Sequence, residues 1–221
     1  MKRLVILIAC VAAIQLQAQT VSEETKNKFT FGLDVFTDLW QDIPESIEPK
    51  TINPGVNIFG AYNFPFGQSN VSLSPGIGIG VHNLYSESMI HTTADSTWFE
   101  MINDTVSFKR SKLTTTWLDI PLEIRYKSEG EFRLAVGFKF GFLMKAQTKY
   151  KGEDLLGQTN QTVIIKYAKF NYVEKNRYGF TARIGYKWLN LWGYYQLSNL
   201  FTEGKGPGMY PVSLGITIIP Y

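Results

Sequence analysis

The sequence predicts an all-β fold, an eight-stranded antiparallel up-and-down barrel built to cross a membrane with its strands. Three observations carry this. Apolar residues recur with period two over long stretches, short and long connections alternate strictly along the chain, and the 221 residues include 15 Phe, 12 Tyr and 5 Trp. Period two places alternate side chains on opposite faces of a strand. After residue 18 no apolar run approaches the ~20 residues that a spanning helix needs, so the apolar content is not arranged for helical membrane passage.

The chain opens with Met1-Lys2-Arg3, an apolar stretch from Leu4 to Ile14, and Leu16-Gln17-Ala18. A charged start, a short apolar core and a small-residue exit read as a secretory signal peptide over 1–18, cut after Ala18. The domain expected after it is a single barrel over 19–221. Of the 22 Lys+Arg, Lys2 and Arg3 lie in the leader, which leaves 20 against 19 Asp+Glu and reduces the net charge from +3 to +1. No Lys/Arg cluster stands out along the chain, and no nucleic-acid partner is expected. The single cysteine, Cys10, also lies in the leader. Leu7-Ile8-Ala9-Cys10 resembles a lipoprotein cleavage box, but the apolar core before it is short and continues beyond it. A mature chain without cysteine is not a disulfide-stapled scaffold.

The first stretch sets Phe29, Phe31, Leu33 and Val35 against Thr30, Gly32 and Asp34. The second alternates Val56, Ile58, Gly60 and Tyr62 with Asn57, Phe59 and Ala61; the third alternates Val71, Leu73, Ile77, Ile79 and Val81 with small residues. In the fourth, Leu118, Ile120, Leu122, Ile124 and Tyr126 oppose Asp119, Pro121, Glu123 and Arg125. The fifth is the clearest, with Phe132, Leu134, Val136, Phe138, Phe140 and Phe142 on one face and Arg133, Ala135, Gly137, Lys139 and Gly141 on the other. Lys127 to Glu131 makes the turn between these two. The sixth spans Tyr178 to Tyr186, the seventh Leu189 to Leu197, and the last Tyr210 to Tyr221.

Links two-to-three, four-to-five and six-to-seven are short, whereas the others run over roughly 38–53, 86–111, 149–174 and 199–209. In an up-and-down meander every long link then falls at one end, as in barrels with short periplasmic turns and long extracellular loops. The apolar face is expected to meet lipid, with aromatic residues at the interfaces. A soluble β-sandwich or lipocalin-like barrel binding a small apolar ligand is the alternative. Thr162 to Tyr172 either extends the fifth and sixth strands or adds a hairpin that makes ten.

Eight strands leave an interior about filled by side chains. Asp119, Glu123, Arg125, Arg133, Lys139, Arg183 and Lys187 point inward by parity, and buried charges must pair. A lumenal ion-pair network across the fourth, fifth and sixth strands is therefore expected, structural in role, with a gated polar path as the alternative.

The run Trp117-Leu118-Asp119-Ile120-Pro121-Leu122-Glu123-Ile124-Arg125-Tyr126 resembles a strand typical of the PorT-like outer-membrane β-barrel family of Gram-negative bacteria. Phe132 to Gly141 is similar to that family's fifth strand, Tyr178 to Tyr186 to its sixth, and Lys205-Gly206-Pro207-Gly208-Met209-Tyr210-Pro211 to a connection found in a subset. The resemblance covers about 110–221 well and the first half loosely. It implies an outer-membrane barrel and little about activity. Barrels of this type usually end in an aromatic residue whose lipid face continues two, four and six positions back. Here Tyr221 and Ile219 are out of phase with Val212, Leu214, Ile216 and Ile218; either a bulge near Ile218-Ile219 reconciles the two, or Tyr221 does not face lipid.

Chemistry has few candidates. The two histidines, His82 and His91, lie near Ser86, Glu87, Ser88, Asp95 and Ser96, a composition that could serve hydrolysis or acyl transfer at the rim. No second ligand pair has metal-site spacing. Gly76-Ile77-Gly78-Ile79-Gly80 lacks the third glycine and following helix of a dinucleotide loop. No enzyme activity and no cofactor or metal are expected. The loop cluster Trp98, Phe99, Met101 and Ile102 is a candidate contact site for a protein partner, or it folds down on the rim or inserts in the outer leaflet. The expected reading is a non-enzymatic outer-membrane barrel, in contact with lipid and with the barrel-assembly machinery during biogenesis. Its alternatives are an accessory subunit of an envelope secretion or gliding complex, a rim enzyme, and the soluble barrel.

Overall fold

The computed structural model describes residues 23–93, 95–103, 105–154, 161–167 and 171–220. The leader over 1–18, Cys10 and Tyr221 lie outside the described residues. A short helix α1 (Glu23–Lys28) leads into β1 (Phe29–Gln41), followed by β2 (Pro54–Tyr62), β3 (Phe64–Pro65), β4 (Val71–Tyr85), β5 (Ser88–Thr92) and β6 (Thr97–Met101). Then come β7 (Phe108–Lys127), β8 (Phe132–Glu153), β9 (Thr162–Tyr167), β10 (Asn176–Tyr186), β11 (Leu189–Gln196) and β12 (Tyr210–Ile218).

Eight of these close a ring in which each strand is antiparallel to its neighbours. The order β1-β2-β4-β7-β8-β10-β11-β12 returns to β1 through the pairing of Leu33 with Ile218 and of Gln41 with Tyr210. Closure leaves the ring without the unpaired edge that would otherwise template aggregation. β3 and β9 join the sheet outside the ring, and β5 and β6 form a separate hairpin. β9 pairs with the upper half of β8, Tyr150 against Ile165, so the ring keeps eight strands.

The connections alternate as the sequence predicts. Tight turns occur at Glu131 and Lys187, both with positive φ, and at Gly67, where φ is +63° and a side chain would be strained. The opposite end carries the four long links, one of them built around the β5–β6 hairpin.

The barrel is inside out relative to a soluble protein. Outward side chains include Phe31, Val35, Ile58, Ile77, Ile79, Ile120, Leu122, Ile124, Val136, Phe138, Phe180, Ile184, Leu191 and Leu214, all exposed, with Phe180 at 58%. Inward positions hold Asp34, Asp38, Ser74, His82, Asp119, Glu123, Lys139, Arg177, Ser213 and Thr217, all buried. Such a belt is far larger than the apolar patches that soluble monomers expose.

Inward glycines make room for the bulkiest lumenal groups. A Cβ on Gly32 would lie 2.5 Å from the ring of Phe59, and one on Gly141 would lie 2.5 Å from Asp119 Oδ1. In β12, Ser213 and Thr217 face inward and are buried, and Ile219, just past the strand's end, is buried too. Both pairings of β12 run without a register shift as far as Ile218.

A bulge does occur in β8, where Trp117 pairs with Leu143 and Thr116 with Lys145, leaving Met144 extra. Above it the parity inverts, since one extra residue flips every later side chain. Ala146, Thr148 and Tyr150 face inward there, whereas below it the inward set is Ala135, Gly137 and Lys139.

Candidate functional site

Three layers fill the lumen. The lowest charged layer centres on Glu123 of β7 and Arg183 of β10. Arg125 reaches Glu123 Oε2 through Nη2 at 2.7 Å, and Arg183 Nη1 donates to Glu123 Oε1. Arg183 Nη2 lies 3.0 Å from Asp34 Oδ2 of β1. Asp34 Oδ2 also accepts from Asn57 Nδ2 at 2.7 Å, and its Oδ1 accepts from Thr217 Oγ1 at 2.6 Å, so both oxygens are bonded. The Arg183 guanidinium lies 4.5 Å from the Phe59 ring centroid.

The next layer is built on Asp119 of β7. Arg177 donates from Nη2 to Oδ2 at 2.7 Å and from Nε to Oδ1 at 3.2 Å, the paired geometry that makes Arg–carboxylate contacts strong. Lys139 Nζ lies 3.4 Å from the same Oδ2 and 3.8 Å from the centroid of Tyr194. Arg177 also covers the Trp117 ring at 4.7 Å. Beside this layer, Asp38 holds His82 Nδ1 at 2.9 Å and accepts from Ser213 Oγ at 2.6 Å. Four carboxylates, Asp34, Asp38, Asp119 and Glu123, thus face four cations, Arg125, Lys139, Arg177 and Arg183.

At the long-link end the contents become apolar. Trp40, Ile47, Leu84, Ile90, Phe99, Leu113, Trp117, Ala146, Val173, Leu200, Phe201 and Met209 form one buried cluster. The β5–β6 hairpin contributes Ile90 and Phe99, and Phe99 meets Phe201 edge-on at 5.9 Å. The Thr97 amide donates to Lys205 O at 2.7 Å, stitching the hairpin to the last long link. At the short-turn end a vestibule of about 490 Å³ is lined by Lys28, Arg125, Lys127, Arg133 and Arg183 among others.

Of the residues that parity placed in the lumen, Asp119, Glu123, Arg125, Lys139 and Arg183 meet in these layers. Arg133 sits lower, 3.7 Å from Glu131 at the vestibule. Lys187 departs from the expectation: it occupies the β10–β11 turn at φ 52°, exposed, with its Nζ 5.3 Å from the Tyr186 ring centroid. A turn residue has no barrel face, so strand parity does not apply to it. The network also extends further than the fourth to sixth stretches, because β1 supplies Asp34 and Asp38 and β12 supplies Ser213 and Thr217. Asp34 already shares the inward face with Thr30 and Gly32 in the first stretch. Arg177 stands one residue before the legible period of its strand begins.

The loop cluster divides. Phe99 and Ile102 are buried, whereas Trp98 and Met101 are exposed at 43% and 50%. Trp98 stacks on His91 at 5.4 Å, and His91 Nε2 lies 3.3 Å from Glu100. His82 belongs to β4, not to the rim. It is 2% exposed with Asp38 on its Nδ1, and Asp38 rather than His82 receives the Ser213 hydroxyl, so the order needed to activate a serine is absent at this point.

A family model described as an outer membrane protein β-barrel domain matches residues 17–202. No curated protein matches the chain.

Proposed function

The chain belongs to the outer-membrane β-barrel domain family, and on that premise we propose that it is a non-enzymatic integral barrel whose lumen is plugged and whose long loops face the cell exterior. The inside-out distribution of side chains carries this reading. An apolar belt suits hydrocarbon, while the interior is occupied by paired charges below and an apolar cap above. Eight-stranded rings leave little more room than their own side chains need. The signal peptide over 1–18 is the proposed route of export. Within the family, Trp117 to Tyr126, Phe132 to Gly141, Tyr178 to Tyr186 and Lys205 to Pro211 support a PorT-like affiliation. Exposed Trp98 and Met101 are the proposed contact point for a protein partner.

Orientation and insertion are testable together. Cys10 is the only cysteine and falls in the leader, so single cysteines at the exposed positions Thr93 and Gln68 report opposite ends. An impermeant maleimide on intact cells should label Thr93→Cys and spare Gln68→Cys, with heat-modifiable migration of the membrane fraction. Labelling of Gln68→Cys alone, or recovery in the soluble periplasm, would overturn the reading.

A further inference from the structure

Above the apolar belt the outer wall on one side becomes basic. Outward positions of β7 run Ile124, Leu122, Ile120 and Leu118, then Thr116, Thr114, Lys112 and Arg110; those of β8 run Phe138, Phe140, Phe142 and Met144, then Lys145, Gln147, Lys149 and Lys151. The bulge at Met144 is what brings the lysines onto this face. Without that extra residue, the side chains above would point inward.

The register then sets like charges directly against one another. Lys112 pairs with Lys149, Arg110 with Lys151, and Lys149 with Lys166 of β9. Such pairs destabilise a ladder on their own account. Lys112 donates to Asn83 Oδ1 at 2.8 Å and covers Tyr85 at 5.1 Å. Two acids, Glu153 and Asp154, close β8 at this end, and Glu153 accepts from the Ser107 amide at 3.0 Å. Among the described residues, none of these five cations forms an ion pair. Withdrawal from water, then the charges of Lys166, Arg110, Lys112 and Lys151, hold the Lys149 ammonium below the ordinary lysine value.

We propose that this face grips the phosphate-bearing headgroups of the lipid leaflet on the long-loop side. The proposal rests on the orientation argued above. Its direction favours lipid over a partner in the medium, because these side chains leave the wall sideways, in the plane of the membrane, and continue the lipid-facing column of each strand. Its height also fits. Lys145 directly follows Met144, and Lys149 lies five residues beyond Met144, roughly 16 Å along the strand and roughly 11 Å in height at the usual tilt. A headgroup layer of about 5–7 Å per leaflet falls between these positions, and lysine stems reach back across apolar surface. Cations on neighbouring strands stand about 5 Å apart, close enough for two to share one phosphate.

The test compares the wild-type barrel with a variant carrying Arg110→Gln, Lys112→Gln, Lys149→Gln, Lys151→Gln and Lys166→Gln. Both are refolded into phosphatidylcholine nanodiscs containing a minor fraction of diphosphorylated lipid A, and lipid A retained after detergent extraction is counted by native mass spectrometry. The wild type should retain several-fold more than the variant, and several-fold more than it retains of the dephosphorylated lipid. Retention should fall as added salt shortens the screening length from about 10 Å at 0.1 M. Equal retention by both proteins, indifference to the phosphates or to salt, or displacement by inorganic phosphate at equal concentration would overturn the proposal. The salt series on the wild type stands alone if the variant does not refold. A barrel that shows heat-modifiable migration without lipid selectivity contradicts only this inference, whereas failure to insert contradicts the membrane reading itself.

Discussion

Arg183 of β10 and Asp34 of β1 meet at 3.0 Å across the lumen, although β11 and β12 separate their strands in the wall. The same guanidinium serves Glu123 of β7, so one cation joins three strands around the ring. Arg183→Met would leave two buried carboxylates with fewer partners. Removing one member of a buried pair typically costs about 3–5 kcal/mol. The folded fraction of Arg183→Met in a urea series in detergent should drop accordingly, and Asp34→Asn with Glu123→Gln on the same background should restore part of it. Unchanged stability in the single variant would show the contact to be energetically idle.

Gly141 should tolerate no side chain. A Cβ there would lie 2.5 Å from Asp119 Oδ1 and 2.9 Å from Arg177 Cγ. Both neighbours belong to a paired, buried set that cannot retreat cheaply. Gly141→Val is expected to destabilise by about 1–3 kcal/mol, the usual range for overpacking. The heat-modifiability midpoint measures this, and a midpoint equal to the wild type would contradict the packing described.

The apolar cap should open without loss of the barrel. Phe99 is 5% exposed and anchors the β5–β6 hairpin onto Phe201. Phe99→Ala removes buried contacts worth about 3–5 kcal/mol when a cavity is left. The hairpin belongs to a long link rather than the ring, so the expected readout is faster proteolytic cleavage near 93–96 with the heat-modifiable core intact. Loss of the core would mean that the cap nucleates the ring.

Lys149 gives a pH dependence with a definite sign. A base held below its ordinary value penalises the folded arrangement while both forms are protonated. That penalty is present at neutral pH and vanishes as pH rises through the lowered value toward the ordinary one of 10.5. In zwitterionic detergent, a nitroxide at Ile164 on β9 should become more ordered as pH rises over this window, and Lys149→Gln should show the ordered state already at neutral pH. Increasing mobility with pH would reverse the assignment.

The ring was legible because its determinants are local. Period two identified the faces of β7 and lower β8, and link lengths identified the two ends. Three things were not readable. The bulge at Met144 inverts parity, so the period of the fifth stretch ends at Phe142 and does not place the lysines above it. The inward face was known, but not which strands share a level, because level depends on the stagger of the whole ring. That is why Asp34 was visible as inward while its bond to Arg183 was not. Phe99 and Trp98 are neighbours in sequence with opposite burial, a division set by the docking of their hairpin on Leu113 and Phe201 rather than by composition.

The plugged lumen is the central claim, and conductance of the purified barrel in planar bilayers tests it most directly. The wild type should give no stable ion-conducting steps, because the layers on Glu123 and Asp119 and the apolar cap above them occupy the path. Reproducible steps from the wild-type protein would contradict the account.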